Sequence, residues 1–315
     1  MHRYNSFKIN GSALLSALFI MTLVAIAATA MSTRLQLDIY RTRMTILSDR
    51  LHLASQVVPF WAMSELSNPK KKFKTADPLG KILNFPEKFQ SIYPTVKVTG
   101  AIYDLQARFN LNNVDDKRYF SIFVNLLNRL SPSQSPADHR ALAAATKQWI
   151  TPYQPGRGND EYVQYYLKQK PPYHQSQQLM QSITEFRLVK GVDSKTYQLL
   201  SNAITALPET TPINFNTAQK ALLSSLADRT NESQIAELLA ARDQGGLDKL
   251  DKIAPILQKL NIRNEVLTLE SQYFMSIAYV SSDDLSMVEY CIFKRSKDKK
   301  GKISLTMISE SVNAL

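Results

Sequence analysis

Ser67-Asn-Pro-Lys70 has the spacing of a serine nucleophile activated by a lysine base, as used in some acyl-transfer hydrolases. Such a pair works from one helical turn, and Pro69 between the two opposes a helix, so the spacing is a chance match. Cys291 is the sole thiol, set among apolar residues in a strand-like run, and reads as a small buried hydrophobe. The four histidines are scattered, and there is no H-E-x-x-H, G-x-S-x-G, P-loop or dinucleotide glycine signature. Leu188-Val-Lys-Gly-Val192, followed by a helical pattern, has the form of a helix-hairpin-helix turn whose backbone amides can face a phosphate. The favoured reading is structural: Gly191 ends one helix and the turn packs on its neighbour. The sequence therefore reads as a protein without catalytic chemistry.

What remains is a question of architecture. The 315 residues carry a net charge of +11, are 44% hydrophobic, and include nine glycines and one cysteine. That balance excludes a collagen-like chain, a disulfide scaffold, a Cys-based zinc finger and a protein of many membrane spans. No residue between Lys8 and Arg34 is charged, and the apolar core Ala13–Met31 is about nineteen residues, nearly the ~30 Å of a bilayer interior at helical rise. Arg3 and Lys8 precede the run, which places the amino terminus in the cytoplasm and the bulk of the chain across the membrane. Ala28-Thr29-Ala30 also fits a signal-peptidase site, but the run is longer than a signal's ~7–15-residue apolar region. Helical spacing also continues past it, through Tyr40, Met44, Leu47, Leu51, Ala54, Val58 and Trp61. The expectation is one retained helix from about Ser12 to Ser64, amphipathic in its second half and kinked by Pro59.

Asn68-Pro-Lys-Lys-Lys-Phe-Lys74 reads as a solvated basic loop, and 96–105 as a strand. Helices are expected at 118–130 and 137–150, then at about 176–189, 194–206, 216–227, 231–243 and 249–260, with Asn216 as an N-cap and no strand among them. The period then changes to that of strands at 273–280, 286–293 and 302–309, with Lys294-Arg295 and Lys299-Lys300 on an exposed hairpin. A helix and a strand at the front, an antiparallel meander at the end and helices between predict an α+β fold with an all-helical insertion.

Five segments, in order, carry a resemblance: Ala107-Arg-Phe-Asn-Leu-Asn-Asn-Val114, Pro171-Pro-Tyr173, Thr184-Glu-Phe-Arg-Leu-Val-Lys-Gly-Val192, Ala206-Leu-Pro208 and Pro212-Ile-Asn-Phe-Asn-Thr-Ala218. With Gly11-Ser12 ahead of the apolar span, they resemble the general secretion pathway protein K family, the large minor pseudopilins of type II secretion systems. The resemblance implies a pilin-like fold: a long N-terminal helix packed on an antiparallel sheet, with a large helical domain inserted into it. It divides the chain into a leader (1–11), a transmembrane helix (12–33), the stem and first part of the α/β domain (34–115), the insert (116–265) and closing strands (266–315).

It further implies that prepilin peptidase cuts between Gly11 and Ser12 and methylates Ser12. Losing Arg3 and Lys8 with the leader lowers the net charge by two, from +11 to +9. The fifth mature position, glutamate in most pseudopilins, is Ser16; a tip subunit has no neighbour above it for an acid to pair with, and a serine can back-bond to its own helix. The family's calcium segment is here Lys147-Gln-Trp-Ile-Thr-Pro152 and Gly158-Asn-Asp-Glu161, with Gln148 and Thr151 where acids are expected. Asp160 and Glu161 are the acids left as metal ligands, and a pair of exposed acids is favoured over bound calcium. The implied function is capping and initiating the periplasmic pseudopilus from the inner membrane. The implied partners are the minor pseudopilins I and J, other pseudopilus subunits, prepilin peptidase and inner-membrane lipid. The alternative is a minor pilin binding nucleic acid for DNA uptake, motivated by the charge and the Gly191 turn.

Overall fold

A computed structural model of the chain describes residues 12–90, 93, 95–154, 160–227, 232–243, 245–282 and 285–313. The leader with Gly11, Gly158-Asn159, Asn231 and Asp283-Asp284 lie outside the described residues. The chain divides into two compact units, Met1–Leu53 and Ala54–Leu315.

The first unit is built on α1 (Ser12–Ser55). Its membrane-length portion lacks glycine, proline and charge, so nothing breaks the backbone ladder. Helix α2 follows (Val57–Ser67). The interruption expected at Pro59 falls one turn earlier: Pro59 has no N–H to give the Ser55 carbonyl, so α1 ends at Ser55. Gln56 nevertheless keeps helical dihedrals (φ −58°, ψ −21°), and the Phe60 N–H donates to its carbonyl at 3.2 Å.

In the second unit five strands form one antiparallel sheet: β1 (Lys81–Asn84), β2 (Lys97–Asp104), then β7 (Tyr273–Ser282), β8 (Leu285–Lys297) and β9 (Ile303–Val312), in the order β1-β2-β7-β8-β9. Between the neighbours β2 and β7 the chain makes its long excursion. It contains β3 (Phe109–Asn110), α3 (Lys117–Leu130), α4 (Pro136–Ile150), α5 (Asp160–Leu167), α6 (Ser194–Leu200), β4 (Ile204–Thr205), β5 (Ile213–Asn214), α7 (Lys220–Ser224), α8 (Glu232–Asp243), α9 (Ala254–Lys259) and β6 (Leu267–Thr268). The α+β fold with a helical insertion is thus present, and its core is a continuous cluster running from Phe109 and Phe123 through Trp149, Tyr166 and Phe186 to Leu267.

Alternation along β7 and β8 sends Phe274, Cys291 and Phe293 to the face covered by Ala62 and Leu66 of α2. Tyr273, Met275 and Ile277 go to the other face, with Leu105 and Leu207. The buried stripe here is Ala54, Val58, Ala62 and Leu66, whereas Tyr40, at the head of the predicted stripe, is exposed. Helix and sheet meet closely at Gly100, where an added Cβ would stand 2.5 Å from the Ile277 carbonyl oxygen and 2.8 Å from Val58 Cγ1. Gly100→Ala should therefore destabilise the fold by about 1–3 kcal/mol, read as a lowered denaturation midpoint; an unchanged midpoint would mean that α2 does not seat on this strand.

Several expectations are corrected. Residues 176–189 form no α-helix; a 3-10 helix, Ile183–Leu188, is what remains. The helix expected at 194–206 stops at Leu200, and Ile204–Thr205 instead pairs in parallel with β3. Likewise β5 pairs in parallel with β6, so short strands do occur in the middle of the chain. α7 begins at Lys220 with Gln219 before it, which removes Asn216 from the N-cap. The 249–260 helix is a 3-10 helix, Leu250–Ile253, followed by α9.

Candidate assembly site

Two surfaces of this chain can do work, the apolar rod and the joint between insert and sheet. Along α1 the large apolar residues from Leu14 to Met31 are 51–75% exposed, a length of greasy surface that calls for lipid or other helices around it. Three of its hydroxyls are turned inward onto their own backbone. Ser16 Oγ donates to the Ser12 carbonyl at 2.9 Å, Thr22 to Phe19 at 2.8 Å and Thr29 to Ala25 at 2.8 Å, so these three are satisfied without water.

The joint is made by residues in and beside the five segments that carry the resemblance, and they are buried clamps. Asp104, at the end of β2, is fully buried. Its Oδ1 accepts from the Gln106 N–H at 2.8 Å, and its Oδ2 from Thr217 Oγ1 at 2.5 Å, Ser271 Oγ at 2.7 Å and Asn214 Nδ2 at 3.0 Å. Burial pushes this carboxyl up, and those four donors pull it back. Asn216, in place of capping a helix, grips Leu247 from both sides: its amide donates to the Leu247 carbonyl at 3.0 Å and its oxygen accepts the Leu247 N–H at 2.7 Å. Asn112 does the same to Met180 and also donates to the Leu207 carbonyl at 2.7 Å. Asn113 donates to the Thr211 carbonyl at 2.7 Å. Each amide serves as a two-handed substitute for a β ladder in irregular backbone. Tyr173 closes an aromatic group with Trp149 and Tyr166 and donates to the Leu188 carbonyl at 2.9 Å.

Charged groups reinforce the joint. Glu209, just after Ala206-Leu-Pro208, accepts from Lys294 at 2.6 Å and Tyr273 at 2.5 Å, and those two bonds hold its carboxyl below the usual range. The basic side chains expected on an exposed hairpin are therefore partly spent: Lys294 is paired, and Arg295 is buried, donating to the Leu66 carbonyl at 2.8 Å. The basic loop is likewise pinned, with Lys74 on Asp248 at 2.6 Å, Lys71 on Glu65, and the Phe73 ring edge-on to Phe274. Most of these ties escaped sequence reading because they join residues far apart in the chain, Lys71 with Glu65 being the local exception; the signal was only the clustering of Asn around β-like dipeptides.

Of the two acids considered for calcium, the one with a described side chain is committed to a lysine. The Asp160 side chain lies outside the described residues, and Glu161, 80% exposed, is paired with Lys190 at 3.1 Å. Thr151 Oγ1 is spent on the Lys147 carbonyl at 2.7 Å. The phosphate-binding hairpin dissolves: its first helix is a 3-10 turn, Gly191 sits at φ +91°, and Lys190 stacks over the Tyr162 and Tyr165 rings.

Comparison with known proteins gives a consistent picture. Residues 107–209 and 213–270 each match a family model described as type II secretion system (T2SS), protein K, and together these cover just over half of the chain. Type II secretion system protein K of Aeromonas hydrophila is 29% identical, with 92% of this chain and 94% of that one covered. The protein of the same name from Klebsiella pneumoniae is 28% identical, with 69% of each covered. Among solved structures, one from the GspK–GspI–GspJ complex of the enterotoxigenic Escherichia coli type 2 secretion system superposes with a TM-score of 0.69 at 21% identity, over 87% of this chain and all of that one, a likeness of fold. The nucleic-acid alternative finds no support here.

Proposed function

The chain belongs to the type II secretion system protein K family, and from that premise we propose that it is the minor pseudopilin that starts and caps the pseudopilus. The observation that carries the reading is the placement of a large helical body between two neighbouring strands, β2 and β7, of a pilin-like sheet. Such a body adds bulk beside the position where a further subunit would stack, and so ends the fibre. The work is packing, and no bond chemistry is assigned to the chain.

Arg3 and Lys8 orient the amino terminus to the cytoplasm and the sheet domain to the periplasm, a single-pass arrangement in the inner membrane. Prepilin peptidase removes 1–11 between Gly11 and Ser12 and methylates Ser12, and the rod at 12–33 then sits in lipid. Residues 34–115 and 266–315 make the stem and α/β domain, and 116–265 the insert. Small residues Ala25, Ala27, Ala28 and Ala30 let neighbouring spines approach closely. Ser16, bonded to its own helix, makes no demand for a subunit above. The partners are minor pseudopilins I and J, as in the solved complex of the related protein.

The reading is tested by purifying the full chain in detergent from cells that also produce its own I and J pseudopilins. A stoichiometric ternary complex that survives gel filtration is expected. A chain that elutes alone while I and J remain folded would overturn the assignment to the tip.

A further inference from the structure

On the α2-facing side of the sheet, β8 and β9 bring together three groups that the function above leaves unused. Cys291 stands directly across the ladder from Glu310, and Glu289 is two residues along the same face of β8. One ligand atom from each of Glu289, Cys291 and Glu310 lies within 4.8 Å of the others. The Gln56 amide donates to Glu289 Oε1 at 2.8 Å and to Glu310 Oε1 at 3.0 Å, holding the two carboxylates side by side. Glu289 and Cys291 are fully buried, while Glu310 is exposed and opens the cluster to solvent.

Two buried polar atoms at this spot are poorly satisfied. Glu289 Oε2 has no donor of its own, although Ser55 also reaches this carboxylate, and the Ser276 hydroxyl, fully buried on β7 across the ladder from Cys291, has only that thiol to bond to. A buried carboxylate oxygen without a donor is costly, and a second carboxylate beside it adds to the cost.

We propose that Glu289, Cys291 and Glu310 form a binding site for a single divalent, thiophilic cation of the zinc class. The distances suit that chemistry. Cys291 Sγ is 3.6 Å from Glu289 Oε1, close to the roughly 3.5 Å edge of a tetrahedron built with Zn–S near 2.3 Å and Zn–O near 2.0 Å. A sulfur ligand selects zinc-like ions over calcium or magnesium, which take oxygen alone. Three protein ligands leave one position for water entering past Glu310. On binding, the S–H bond breaks and an S–metal bond forms, with the proton released to solvent; burial, followed by the charges of Glu289 and Glu310, holds the free thiol up to about 12, so uptake weakens as pH falls. The site would tie β8 to β9 next to the point where Gln56 meets the sheet, and so stiffen the base of the domain.

The test uses the full chain in detergent, stripped with a chelator, kept reduced and titrated with cobalt(II). Cys291 is the only thiol, so a thiolate-to-cobalt charge-transfer band can arise from no other residue. The expected result is a saturable band at one equivalent that zinc bleaches, absent in Cys291→Ser. Glu310→Gln, an exposed change compatible with folding, should weaken cobalt binding on the order of tenfold or more. No band in the wild-type chain would mean that the two carboxylates are neutralised by a shared proton, and the proposal fails. A band whose affinity is unchanged in Glu310→Gln would overturn it equally.

Discussion

Gly11→Leu should leave the chain at its precursor mass and abolish export of the secretion system's substrates. Gly11 is the residue before the expected cut, ahead of Ser12, where α1 begins. A peptidase that works at the membrane surface must bring that backbone close to its catalytic groups, and a branched side chain there fills the space the approach needs. The consequence extends past the missing cut. An uncut leader keeps Arg3 and Lys8 on the cytoplasmic end of the rod. Drawing each through the hydrocarbon costs about 2.5–3.5 kcal/mol on the insertion scale, so the subunit is held in the bilayer when the fibre must lift it out. Immunoblots should show the processed form reduced at least about tenfold, each factor of ten being roughly 1.4 kcal/mol of lost recognition, with no exported enzyme in the medium. Normal processing together with normal export would contradict the assignment.

Asp104→Ala should cost about 3–5 kcal/mol of stability, the sum expected when several buried donors lose their acceptor at once. Four groups donate to this carboxylate from three parts of the chain, namely the Gln106 backbone, Asn214 with Thr217, and Ser271. The residue therefore fastens the end of β2 to both the entry and the exit of the insert. Asp104→Asn keeps one acceptor oxygen and places an NH2 among donors, so it should fall between wild type and alanine. Chemical denaturation of the full chain in detergent measures both. A loss under about 1 kcal/mol for the alanine variant would show that the joint is held by apolar packing alone.

How much of this could be read beforehand depended on period. The rod, α3, α4 and the C-terminal strands have strong repeats and were legible. Burial pays for regular elements, and regular elements leave a pattern. The segments from 171 to 218 have little regular structure; Asn112 meets their backbone at Met180 and Leu207, Asn113 at Thr211 and Asn214 at the Asn216 N–H, and such side-chain clamps leave no repeat in the sequence. Two-residue strands such as β4 and β5 carry no alternation at all. Of the candidate residues, the Ser16 back-bond followed from helix geometry alone. The pairing of Glu209 with Lys294 did not, because only the folded sheet brings positions 85 residues apart together. The Glu289–Cys291–Glu310 cluster was hidden for the same reason: Cys291 read correctly as buried, but nothing in its neighbourhood named Glu310 as its partner across the ladder.

The mature amino terminus tests the account most directly, because every later step requires the rod to be kept and its leader removed. Intact-mass spectrometry of the chain purified from membranes should give a polypeptide beginning at Ser12 and carrying one added methyl group. A chain that begins at Met31, cut after Ala28-Thr29-Ala30, would make the rod a discarded signal and contradict the account.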